Sequence, residues 1–305
     1  MIQDTKFYKQ VELLLKILPE ALAEDCFSLK GGTAINMFVR DMPRLSVDID
    51  LCYHLIEDRK TTLNKINEAL MSISKKICSK YTYISVKNHP PVEGIVTRLY
   101  ISEGTTTIKV EVNFVLRGTV NPCVDLDLCE KSQEIFKTFR TARCLSIEDL
   151  YGGKICAALD RQHPRDLFDI KLLLENEGLT DSIRQSFLVY LVSHNRPMSD
   201  LIDPNRLDFK DIYEKEFKGM TDVDVKYQDL VDVRENLITT ILKDLTDKER
   251  EFLVLLKRGK PQWNLLPIKD LDRLPAIQWK LININKMDRS KHKESVKILE
   301  KKLLI

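Results

Sequence analysis

Apolar and polar positions change rhythm several times along the chain. Residues 6 to 24 repeat apolar side chains at helical intervals and predict one helix, bent near Pro19. "FSLKGG" is a short strand running into a glycine turn, and "TAINMFVR" then puts Ala34, Ile35, Phe38 and Val39 at helical spacing. A loop around Pro43 leads to strict alternation over residues 46 to 53, which predicts a strand. Thr61 to Lys80 is a helix with Leu63, Ile66, Leu70, Ile73 and Ile77 on one stripe. A β-rich block follows: "YTYISVKN", "GIVTRLYIS" and "TTIKVEVNFVLRG", the last two joined by the hairpin signal "SEGTT".

From Ser146 the pattern turns helical. "LSIEDLYGGKICAALDR" opens with Ser146 and Asp149 at capping-box spacing. "HPRDLFDIKLLLENEG" has Pro164 in its first turn and Gly178 as a stop. Beyond residue 180 the chain reads as helix throughout, interrupted by "SHNRPMSDLIDPNR" with Pro197 and Pro204. The expected class is α+β: a mixed sheet with helices on one face over residues 1–195, then an all-α helical bundle over 196–305.

The 305 residues are 43% hydrophobic and 31% charged with a net charge of +2, so no overall field attracts or repels nucleic acid. No apolar run approaches the ~20 residues a membrane span needs. The amphipathic start lacks the basic-then-apolar order of a signal peptide. Seven scattered cysteines, none in a C-x-x-C, argue against structural zinc and disulfides and suit a reducing cytoplasm.

The chemistry concentrates in "LKGGTAINMFVRDMPRLSVDIDLCY". On a strand, Ser46, Asp48, Asp50 and Cys52 share one face, opposite Val47, Ile49 and Leu51. Carboxylates at i and i+2 stand ~7 Å apart, a span that suits divalent cations. "IKVEVNF" repeats the device, with Val110, Val112 and Phe114 facing one way and Lys109, Glu111 and Asn113 the other. If the two strands are neighbours, Glu111 lies across from the aspartates, and three acids together require a cation. Magnesium, a hard ion suited to carboxylate and phosphate oxygens, is the expected partner. Gly31 and Gly32 before a helix can offer backbone N–H groups to phosphates, and Ser46 can donate a hydroxyl. Taken singly, a GG pair is a turn and a D-x-D a solvated strand face; it is their conjunction that reads as a nucleotide site.

These motifs resemble the first block of the nucleotidyltransferase (polymerase β-like) superfamily, and more narrowly the AbiEii/AbiGii toxin family, which shares K-G-G-T-A, an arginine and S-x-D-x-D. "IKVEVNF" is similar to the second block, and "EDLYGGKICAALDRQHPRDLFDI" to a third, with a helical lysine and R-D-x-x-D. The resemblance runs from Leu29 to Ile170. It implies a Mg²⁺-dependent toxin of an abortive-infection or type IV toxin–antitoxin pair. Such a toxin moves a nucleotide from an NTP to an acceptor, in some relatives the tRNA 3′ end, and its antitoxin acts without a stable complex. It further implies that Asp48, Asp50 and Glu111 are metal ligands and that Glu111 serves as base towards the acceptor. Gly31, Gly32, Thr33, Ser46 and Lys154 become nucleotide-binding residues, and Asp166 positions nucleotide or acceptor. Glu111 stands where the wider superfamily often has Asp.

Helical spacing puts Lys154, Ala158 and Arg161 on one face, with Gly152, Gly153, Ala157 and Ala158 leaving room for a close approach. Lys154 as a solvated residue, with the glycines as packing contacts, is the competing reading. Asp166 also suits a helix first turn, Asp169 an intrahelical pair with Arg165, and His163 and His54 cap or loop roles. Trp263 and Trp279 are expected in the core. Lys286, Arg289, Lys291 and Lys293 form a basic run that could touch RNA phosphates. Two other readings remain: transfer to a small molecule or protein hydroxyl, and a non-catalytic NTP-binding partner protein.

Overall fold

A computed structural model describes residues 6–91, 94–114 and 117–304. Contacts divide the chain into two compact units: Met1–Leu150 with Lys215–Asp224, and Tyr151–Glu214 with Val225–Ile305. Residue 195, where the linker composition places a boundary, lies inside the second of these.

The first unit opens with α1 (Lys6–Ala21), which keeps Pro19 inside its last turn. β1 (Phe27–Lys30) runs into α2 (Gly31–Ala34), a single turn that widens to π geometry over Ile35–Val39. β2 (Asp48–Tyr53) starts two residues later than alternation suggested. Asp58 caps α3 (Arg59–Lys80) by accepting from Thr61 N at 3.0 Å. β3 (Ser85–Asn88), β4 (Arg98–Glu103) and β5 (Thr106–Asn113) follow. The expected hairpin joins β4 to β5, with Gly104 at φ +57° leading a two-residue loop, the geometry of a type II′ turn. Val115 and Leu116, read as part of the last strand, lie outside the described residues.

Two short strands escaped the sequence reading: β6 (Val124–Asp127) and, after α4 (Glu130–Phe136), β7 (Thr141–Cys144). Four residues each give alternation too little length to register. Together the strands make one mixed sheet in the order β3-β4-β5-β2-β1-β7-β6, with β2–β5 and β1–β7 parallel and the other pairs antiparallel. α1 and α3 pack against the face that carries Ile49, Leu51, Leu99, Ile101, Ile108 and Val110, all buried. Polar residues alternate onto the opposite face.

α5 (Ile147–Arg161) begins with half of the expected capping box: Asp149 N donates to Ser146 Oγ at 3.2 Å. The Asp149 carboxylate turns away and accepts from Val120 N and from the Asn121 side chain. Burial raises its pKa against those hydrogen bonds.

The second unit is all helix among its described residues. α6 (Pro164–Asn176) has His163 as N-cap, its ring accepting from Arg165 N, and Gly178 at φ +72° as the stop. α7 (Asp181–Ser193) is almost wholly buried. The short α8 (Met198–Ile202) and α9 (Lys210–Ile212) precede α10 (Tyr227–Asp244), α11 (Asp247–Lys257), α12 (Pro275–Asn285) and α13 (Arg289–Lys302). Trp279 is 56% exposed on α12 and not in the core, while Trp263 packs beside Phe252 with ring centroids 6.2 Å apart. The small residues near Lys154 do admit a close neighbour, and it is α7. A Cβ on Gly152 would stand 2.8 Å from Phe187 N and 2.9 Å from the Ser186 carbonyl carbon. Backbone cannot yield there, so Gly152→Ala is expected to cost about 1–3 kcal/mol, read as a lowered urea midpoint with unchanged m.

Candidate active site

Asp48 and Asp50 begin β2 on the open face and stay partly exposed, while Ile49 and Leu51 between and after them are fully buried. Register then extends the site sideways. Lys30, Asp50, Glu111 and Arg98 are cross-strand neighbours on β1, β2, β5 and β4. Asp48, Lys109, Tyr100 and Lys87 form the next rung on β2, β5, β4 and β3. Glu111 therefore lies beside Asp50, as alternation and strand adjacency required.

Its carboxylate is already engaged. Arg98 Nε donates to Oε2 at 3.0 Å and Nη2 to Oε1 at 2.6 Å, a bidentate fork, while Nη1 reaches Tyr100 Oη at 3.3 Å. On the second rung Lys109 Nζ stands 3.8 Å from Asp48 Oδ1. Protein cations thus face two of the three acids.

The glycine turn fits the acid pair closely. Gly31 is left-handed at φ +73°, and a Cβ there would lie 2.3 Å from Asp50 Oδ2. Only glycine brings the backbone this near the carboxylate without strain. A Cβ on Gly32 would meet Arg44 Nη2 at 2.8 Å and Ser46 Oγ at 3.0 Å. Thr33 is fully buried; its hydroxyl donates to the Asp48 carbonyl at 2.6 Å and lies 3.0 Å from Ser46 Oγ. Asn36 Nδ2 donates to Gly32 O at 2.9 Å. The turn and the strand start are therefore pinned to each other. α2 is a single turn, so close backbone approach, rather than a helix dipole, is what this motif offers an anion.

Lys154, Arg161 and Asp166 belong to the second unit. Lys154 is 6% exposed, with Nζ 3.0 Å from both Asp166 Oδ1 and Asp169 Oδ2. The solvated reading of Lys154 therefore fails, and Asp169 is engaged by the preceding helix. Arg161 reaches Asp166 through Nε at 2.5 Å and Nη2 at 2.9 Å while staying largely exposed. Burial would raise the Asp166 pKa, but the Lys154 and Arg161 charges and their hydrogen bonds hold it well below the carboxylate range.

With this geometry in view, comparison with known proteins is decisive. A sequence model of the family described as "Nucleotidyl transferase AbiEii toxin, Type IV TA system" matches residues 12–281. The chain belongs to this family. It is a nucleotidyltransferase toxin, its substrate class is the NTP, and its counterpart is an antitoxin. Among solved structures, MenT4, a nucleotidyltransferase toxin from Mycobacterium tuberculosis, is similar in fold. Its TM-score is 0.61 at 12% identity, over 97% of this chain and 94% of that one. Terminal uridylyl transferase 4 from Trypanosoma brucei with bound dUTP matches at a TM-score of 0.28 and 13% identity, over 96% and 92%. A search of curated proteins finds no match.

Asp48 and Asp50 offer hard oxygens from one strand face, the donor type that Mg²⁺ selects. Among the described residues no three His, Cys, Asp or Glu side chains are arranged to hold a metal, and the Glu111 carboxylate is engaged by the Arg98 fork. Arg98 was missed by sequence reading, although the two-residue hairpin loop fixes its pairing with Glu111 once the turn is recognised. Arg44, 2% exposed and packed against the glycine turn, carried no signal beyond its place before Ser46.

The Lys154 network gives an acid-sensitive contribution to stability. Asp166 titrates lower in the folded chain than in the unfolded one. Its contribution is complete above the ordinary carboxylate range, about pH 4, and is lost as pH falls towards the depressed folded value. Lys154→Met, which removes the cation shared by the buried Asp166 and Asp169 carboxylates, is expected to cost about 3–5 kcal/mol at neutral pH. Thermal melts between neutral and acid pH should show that gap narrowing as the buried carboxylates protonate.

Proposed function

We propose that this toxin uses Mg²⁺ to transfer a nucleotide from an NTP to the end of an RNA in the cytoplasm, with the tRNA 3′ end as the acceptor. The observation that carries the reading is the Asp48–Asp50 pair on one strand face, with Asp50 against the left-handed Gly31. Asp48 and Asp50 hold the metal, with Glu111 as the third acid and as base towards the acceptor hydroxyl. Bound there, Mg²⁺ would neutralise phosphate charge and polarise the reacting phosphorus. Gly31 and Gly32 let backbone approach the triphosphate, and the Ser46 hydroxyl donates to it. Thr33 and Arg44 position Ser46 and the strand start. Lys154 and Asp166 serve the nucleotide through a buried ion network whose integrity activity requires.

An RNA acceptor is held through its phosphates. Lys286, Arg289, Lys291 and Lys293 are all exposed on the second unit and supply phosphate contacts in this reading. All seven cysteines are free thiols, as a reducing compartment requires. No described helix is long and apolar enough to cross a membrane. The antitoxin acts without forming a stable complex.

Incubation with each labelled NTP, Mg²⁺ and total RNA tests this directly. Label should enter RNA with the wild type and fall by about 10²–10³ in folded Asp48→Asn and Asp50→Asn variants. A doubly substituted, folded protein that transfers normally overturns the site. Label entering a small molecule or the protein fraction overturns the RNA acceptor and leaves the donor chemistry standing.

A further inference from the structure

The row Lys30, Asp50, Glu111, Arg98 sets two acids between two cations across four adjacent strands. Neighbouring strands lie ~4.8 Å apart, so the Asp50 and Glu111 carboxylates repel each other unless a positive charge answers them. On the Glu111 side that charge is Arg98, and its hold is complete: Nε and Nη2 take one carboxylate oxygen each. Arg98 is set for this by the antiparallel register of the β4–β5 hairpin and by Tyr100 Oη, which receives its remaining Nη1 contact. The pair is half-exposed, so both groups have room to move apart. A bidentate guanidinium occupies one lone pair on each oxygen, so a metal shared with Asp50 has to compete with it for the carboxylate.

We propose that Arg98 is a built-in competitor of the catalytic cation. It clamps Glu111, and the clamp opens as Glu111 joins a cation held by Asp48 and Asp50. The inference rests on the assignment of Asp48 and Asp50 as metal ligands. Its physical content is an exchange of one counter-ion for another. The divalent ion takes over the charge balance of Asp50 and Glu111, and the freed guanidinium, still tethered at the edge of the site, becomes available to phosphate. Metal affinity in the absence of nucleotide is thereby kept low by an intramolecular ion pair, and Arg98 acts as a positioning residue through Glu111.

The test is Mn²⁺ binding without nucleotide, followed by the paramagnetic resonance of free Mn²⁺, on full-length protein whose fold is checked by circular dichroism. Arg98→Gln should tighten binding by about tenfold, the weight of one charge-assisted hydrogen bond. Arg98→Lys, which cannot hold both oxygens, should fall between it and the wild type. Glu111→Gln should scarcely change the wild-type affinity but should erase the gain when combined with Arg98→Gln. If Arg98→Gln leaves affinity unchanged, or if the gain survives in the double variant as a general charge effect, the clamp is wrong. The parent assignment is read separately: Asp48→Asn with Asp50→Asn should abolish Mn²⁺ binding in every background, and its persistence would remove the metal site itself.

Discussion

Everything at this site depends on one close approach: the Asp50 carboxylate against the backbone of Gly31. The space a Cβ would fill is occupied by Asp50 Oδ2, and the backbone there is left-handed. Two constraints on one residue, steric and conformational, leave glycine as the only unstrained choice. From that contact the rest follows in order. Lys30 ends β1 beside its partner Asp50 with Gly31 next to it, Thr33 ties the following turn to the Asp48 carbonyl, and Ser46 and Arg44 pack on Gly32. The sheet then carries the geometry outward through register, placing Glu111 beside Asp50 and Arg98 beside Glu111.

The sheet supplies rigidity because its two faces have different tasks. Ile49, Leu51, Val110 and Ile108 anchor β2 and β5 under α1, and their alternate neighbours are thereby forced onto the open face. A slip of one residue would bury the aspartates and expose the core, so the hydrophobic pattern that folds the sheet also aims the chemistry. The second unit uses charge differently. Lys154, Asp166 and Asp169 are buried together, with Arg161 at the edge, so its ion network is structural in cost and strength whatever its part in transfer.

How far the chain could be read in advance follows from the range of the signals. The D-x-D alternation, the GG turn and the outward Glu111 are local patterns and fell where their period placed them, while Ser46 lies before the strand and, like Cys52, is buried. The register of β4 against β5 was equally local, since a two-residue hairpin sets it, yet Arg98 escaped notice because cations on an exposed strand are common. The neighbour of Gly152 was beyond reach for another reason. Helix α7 lies some 35 residues further along the chain, and nothing in spacing tells which helix packs on which. Trp279 misled because size suggests burial, while α12 buries Pro275, Ala276 and Ile277 instead.

The central claim is that Asp48 and Asp50 would hold a cation whose chemistry acts on the non-bridging oxygens of the phosphate that reacts. Thiophilic rescue addresses it most directly: an NTP whose α-phosphate carries sulfur at one non-bridging position is offered with Mg²⁺ and then with Mn²⁺ or Cd²⁺. The account predicts that one sulfur diastereomer is transferred poorly with Mg²⁺ and recovers with the softer ions, because sulfur ligates them and not Mg²⁺. Equal transfer of both diastereomers with Mg²⁺, and no response to the change of metal, would contradict it.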